Sequence, residues 1–186
     1  MDEVSTKPSG VRGRVVSRDG TEIAYERYGD GRGAVVLVDG ADGGGRALAG
    51  LLARRFSVLT YERRSAVAVE REIEDLAAVL EAAGPGAAVH GTETGGALAL
   101  AGAAAGLPVG AVSVYEPPYT AGLVPAVHAR VLVVDGGASP AVTRGAARAL
   151  AAALPRARHR TLTGQTHEPA PHVLAPVLEE FLDEPA

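Results

Sequence analysis

Cysteine is absent from all 186 residues, which excludes disulfides, thiol nucleophiles and thiolate metal sites. Tryptophan is absent as well, and with five Tyr and two Phe the core must be built mainly from Val, Leu and Ala. No apolar run approaches the roughly 20 residues a membrane span needs. Met1 to Gly10 is polar and lacks an apolar stretch of signal-peptide length. Cytoplasmic residence without membrane contact is the expectation. Excess positive charge is also missing: the formal net charge is -4 with acids and bases interspersed, so no basic stripe is available to displace counterions from a nucleic acid. The five histidines form no ligand motif, and no metal is expected. The run Asp39-Gly40-Ala41-Asp42-Gly43-Gly44-Gly45 lacks both the lysine of a phosphate-binding loop and the spacing of a calcium loop, so no cofactor is expected either.

What is present is an orderly alternation of apolar runs and amphipathic stretches. Nearly half the residues are apolar, enough for one self-sufficient domain over residues 11–186 behind a flexible segment of residues 1–10. Arg14-Val15-Val16-Ser17-Arg18 and Thr21-Glu22-Ile23-Ala24-Tyr25 flank Asp19-Gly20, a hairpin signal. Ala34-Val35-Val36-Leu37-Val38 is continuously apolar, as a strand buried on both faces must be. Beyond it, strands are expected at residues 57–61, 87–90, 110–115, 130–135 and 159–162, and helices at 46–54, 67–83, 95–105, 140–154 and 172–182. In the second helix Val69, Ile73, Leu76 and Leu80 share the apolar face, and Glu70, Arg71, Glu74 and Asp75 are placed on the other. The alternation implies an α/β fold: a mostly parallel sheet of about eight strands with helices on both faces.

The stretch Ala88-Val89-His90-Gly91-Thr92-Glu93-Thr94-Gly95-Gly96 runs from a strand straight into a small-residue helix. Glycines two residues either side of Glu93 allow a turn too sharp for side chains, and this lifts the Glu93 carboxylate above the sheet at a helix N-terminus. With Val36-Leu37-Val38-Asp39-Gly40-Ala41, Thr60-Tyr61-Glu62-Arg63-Arg64, Tyr115-Glu116-Pro117-Pro118, Val133 to Pro140 and Leu162 to His167, the chain resembles the α/β-hydrolase superfamily, in particular its compact bacterial members. The resemblance runs from about Gly13 to Leu182. It implies Ser at the elbow apex, where Glu93 stands, and an acid at the position of Ser139. It matches the family histidine with His167. Backbone N–H groups of Ala41 and Thr94 take the place of the oxyanion hole. Only residues 116–129 separate the sixth strand from the next, too few for the family's lid.

A carboxylate does not replace serine in acyl transfer, so ordinary esterase activity is not expected. Glu93 suits general acid/base work of isomerase, lyase or cyclase type on a small apolar metabolite, with His167 assisting and Glu116 or, alternatively, Asp135 orienting that histidine. Two other readings stay open. Glu93 is a nucleophile toward sp3 carbon, as the Asp of related epoxide hydrolases is, or the site is retired and the fold serves as a binding module. Glu116 has a competing role, ending its strand and pairing with Arg63 or Arg64. His90, His128, His159 and His172 are assigned structural or exposed places. Loss of the lid bares apolar surface around Pro117, Tyr119, Leu123 and Val124, which suggests a homodimer through that face.

Overall fold

The computed structural model describes residues 10–38, 45–118 and 126–184. The expected loop at residues 39–44, with Ala41 of the oxyanion hole, lies outside them, as do Tyr119, Leu123 and Val124 of the expected dimer face. A hairpin of β1 (Val11–Val16) and β2 (Glu22–Tyr28) leads to β3 (Ala34–Val38), α1 (Gly45–Leu52), β4 (Ser57–Tyr61) and α2 (Val69–Ala83). Next come β5 (Ala88–Thr92), α3 (Glu93–Ala104), β6 (Ala111–Tyr115) and β7 (Arg130–Gly136). Helix α4 (Ala141–Ala153), β8 (Ala157–Leu162) and α5 (Pro171–Leu182) close the chain. The eight strands form one sheet in the order β1-β2-β4-β3-β5-β6-β7-β8. β1 pairs β2 and β2 pairs β4 antiparallel; every other pairing is parallel.

Period-two alternation in the strands sends side chains to two separate apolar layers. On one face Val36, Val89, Val112 and Val133 meet Leu76 and Val79 of α2, Leu98 of α3 and Leu150 of α4. On the other Leu37, Tyr115, Leu132 and Val134 meet Leu48 and Leu52 of α1 and Leu174, Leu178 and Phe181 of α5. Val, Leu and Ala dominate, as expected, but three tyrosines and two phenylalanines are buried with them. The described residues between β6 and β7 contain no helix.

Two expectations about α2 are corrected. Asp75, placed on the outer face by its charge, is buried, because it meets the guanidinium of Arg64 in a two-pronged contact at 2.7 Å on each oxygen. Val69, placed on the inner face, is largely exposed at the first turn. The hairpin turn joins the same network: Arg64 Nη1 donates to Asp19 Oδ2 at 2.8 Å and to Thr21 Oγ1 at 3.1 Å. The Asp19 carboxyl is held well below the usual carboxylate range, chiefly by that bond from Arg64.

His90 on β5 is fully buried, its Nδ1 at 2.8 Å from Ser113 Oγ on β6. Burial holds the imidazole at about 4, below its ordinary 6.5. Between those values the unfolded chain takes up the proton and the folded chain refuses it. Stability is therefore full above pH 6.5 and falls as the pH drops toward 4. On acidification from pH 7 to pH 5 the protein should lose about 2 kcal/mol of stability to this one ring. Urea midpoints of the protein and of a His90→Leu/Ser113→Ala variant at both pH values check this. An equal pH response in the two proteins would remove His90 as its source.

Candidate active site

The elbow is formed as its glycines require. A Cβ on Gly91 would lie 2.4 Å from the carbonyl carbon and oxygen of Gly95, so the strand and the first turn of α3 approach more closely than any side chain permits. The helix begins at Glu93, two residues earlier than the expected Gly95. Glu93 has φ 46°, a left-handed conformation that costs a non-glycine residue about 1 kcal/mol. Its side chain is half-buried, and Thr94 beside it is exposed.

A second strained glutamate sits at the adjacent strand end. Thr92 of β5 and Tyr115 of β6 are register partners, and the next residue on each strand, Glu93 and Glu116, turns left-handed, Glu116 with φ 44°. Their employment differs. Glu116 is buried, and its Oε1 accepts the Gly136 N–H of β7 at 2.8 Å while its own N–H donates to Val134 O. It closes the end of the β6–β7 ladder rather than orienting His167. The expected alternative pairing with Arg63 or Arg64 is also not formed, because those guanidiniums are held by acids of α2 and the hairpin turn.

His167 stands on the loop after β8. Tyr115 Oη donates to Thr166 O at 2.5 Å, Ala138 N–H to Gln165 O at 2.9 Å and Gly137 N–H to Leu162 O at 2.8 Å, so the loops after β7 and β8 are stitched together. Burial pushes the Tyr115 hydroxyl well up. The imidazole itself is 61% exposed, with Nε2 at 3.7 Å from Glu168 Oε1. No hydrogen bond or ion pair joins it to Glu93 or Glu116 among the described residues.

Asp135, the other orienting acid considered for His167, is engaged elsewhere. It is fully buried, and its Oδ2 lies 2.8 Å from Nε2 of His159 on β8. Strand alternation explains the choice: Asp135 shares the face of Val131 and Val133, beneath α4. Ser139 is buried in the turn before α4. Among the described residues no three acids or histidines converge to hold a metal.

The side chain that reaches the elbow is Arg63, considered from sequence only as a partner of Glu116. Arg63 Nε and Nη2 donate to Glu72 Oε1 at 3.0 and 2.7 Å, and Nη1 reaches Thr94 Oγ1 at 3.1 Å. The available signal was position alone: a pair of arginines where a parallel strand ends beside the elbow. Thr94 and Arg63 border a cavity of about 1220 Å³ that extends over the ends of β4 and the hairpin and is also lined by Arg12, Arg46 and Glu62. Its charged lining contrasts with the small apolar metabolite expected as substrate.

The sheet order and the tight turn from β5 into α3 fit an α/β-hydrolase architecture. No model of a protein family and no curated protein matches the chain. Solved structures do. An α/β hydrolase from Sphaerobacter thermophilus DSM 20745 is 35% identical, covering 91% of this chain and 100% of its own, with a TM-score of 0.84. A serine hydrolase involved in carbazole degradation, the CarC enzyme, is 16% identical over 94% of this chain and 99% of its own, with a TM-score of 0.80. The esterase RhEst1 from Rhodococcus sp. ECU1013 is 17% identical over 93% and 98%, with a TM-score of 0.79. The chain belongs to the α/β-hydrolase superfamily. None of its described helices is long and apolar enough to cross a membrane.

Proposed function

We propose that this protein is a cofactor-free enzyme on the α/β-hydrolase fold in which Glu93 moves a proton as general base and acid, in a reaction of isomerase, lyase or cyclase type. The observation that carries the reading is the apex backbone: Glu93 holds φ 46°, where glycine would relieve the strain. A strained residue at a strand end and a helix N-terminus, next to the cavity-lining Thr94, supports a chemical role. Serine is absent from the apex, so no acyl-enzyme forms. A carboxylate instead withdraws a proton from an activated carbon and returns it elsewhere on the same substrate. His167 is the second proton carrier, and it acts on the substrate rather than on Glu93, with which it shares no bond.

A second reading, a non-catalytic binding module, draws support from the 61% exposure of His167 and from the engagement of Asp135 and Glu116 with other partners. The nucleophilic variant has less support, since an ester on Glu93 needs water activated by a nearby His167. Incubation with a small-molecule extract in D2O separates the first two. Under the acid/base reading at least one metabolite gains deuterium or disappears with the protein, and Glu93→Gln lowers that rate about 100-fold or more. Equal turnover by the Gln variant, or no changed metabolite, counts against it.

A further inference from the structure

The charged cavity beside the elbow contains a feature that acid/base chemistry at Glu93 does not use. Strand β1 and helix α1 each direct an arginine to one carboxylate: Arg12 Nε lies 3.3 Å from Glu26 Oε1, and Arg46 Nη2 lies 3.2 Å from Glu26 Oε2. Glu26 also accepts a hydrogen bond from Tyr28 Oη, so one acid is shared by two cations and a phenol. The carboxylate is largely covered, whereas the guanidiniums are 83% and 74% exposed. Two positive groups thus sit around a single negative one, with an excess positive charge and most of their N–H donors turned outward. Arg46 is moreover the second residue of α1, at the positive end of the helix dipole. Arg14, on the same face of β1 two residues along, is neutralised by Glu22 at 2.9 Å and adds no excess charge.

Guanidiniums that converge from two elements and keep free edges match the oxygens of a phosphate group, which can be bound bidentately. The same cavity is also bordered by Thr94, one residue from Glu93. We infer that Arg12 and Arg46 form an anion site for the phosphate of a phosphate monoester long enough to cross the three strand spacings from β2 to β5, about 14 Å, toward Glu93. This specifies the substrate class and rests on the acid/base reading for its second half. It replaces an apolar substrate with one carrying a charged handle, and it separates binding at Arg12 and Arg46 from chemistry at the elbow.

Inorganic phosphate is the probe, titrated by calorimetry at constant ionic strength against the protein, an Arg12→Gln/Arg46→Gln variant, an Arg160→Gln control on β8, and Glu93→Gln. Both arginine heads are exposed, so their replacement costs the fold little, and circular dichroism of each variant confirms this. Saturable binding by the protein, the Arg160 control and Glu93→Gln, weakened about tenfold or more in the double variant, is the expected result. Absence of saturable binding, equal binding by the double variant, or tighter binding of acetate than of phosphate overturns the phosphate site. Failure of the acid/base reading has a different signature: phosphate binds through the arginines, yet no metabolite exchanges deuterium in a manner that depends on Glu93.

Discussion

Gly91→Ala should destabilise the protein by about 3 kcal/mol, lowering its melting temperature by roughly 10 °C. The methyl carbon would fall 2.4 Å from the carbonyl group of Gly95 and 2.5 Å from the amide nitrogen of Gly96. All three are backbone atoms in the first turn of α3, and none can rotate away as a side chain can. Gly91 is itself clamped between β3 and β6, where it pairs with Val38 and Val114. Relief therefore requires the helix to lift from the sheet, which opens the apolar layer beneath Leu98 and Ala99. Gly145→Ala supplies the contrast. It lies within α4 with nothing within 4 Å of the added carbon, so the same methyl should stabilise the protein by about 0.5–1 kcal/mol. Paired thermal melts of the two variants test the argument. Two small shifts of the same sign would show that the elbow is looser than its geometry states.

Arg64→Leu should lower the melting temperature by a similar amount, for an electrostatic reason. The Asp75 side chain is 2% exposed and receives two charge-assisted bonds from Arg64. Removing the guanidinium leaves a buried carboxylate without its partner and releases Asp19 and Thr21 of the hairpin turn, a loss of roughly 10 °C. Breaking a buried pair from one side is far costlier than removing both charges. Arg64→Leu/Asp75→Leu should therefore recover much of the loss, and a double-mutant cycle on urea midpoints measures the coupling. If the double variant is less stable than Arg64→Leu by the full cost of Asp75→Leu alone, the two residues do not act as a pair.

The architecture was legible because the features that set it are local. Continuous apolar runs mark strands covered on both faces, and Gly91 to Gly96 can turn only one way; most element boundaries fall within two residues of expectation. What the sequence hid was the destination of charged side chains. Asp75 looked like solvent surface from helical periodicity, yet it faces inward because Arg64, from the end of β4, meets it there. Arg63 and Arg64 are neighbours in sequence but part company, one to Glu72 and the elbow and the other to Asp75 and the hairpin. Likewise Asp135 belongs to His159 because both lie on the α4 side of the sheet, a matter of strand register that no spacing in the chain reveals. The candidate site was legible as a set of positions, and its partnerships were not.

The hairpin of β1 and β2 touches the parallel part of the sheet only through β2, and β1 is an outermost strand. Ile23 and Tyr28 in the core, Arg27 bonded to Ser57 and Ala82, and Arg64 at the turn anchor it. Because β1 pairs on one side only, its amides should exchange with solvent before those of β5 to β7. It also supplies Arg12 and Arg14 to the cavity wall. The breadth of that cavity thus depends on an edge hairpin that the parallel sheet holds from one side.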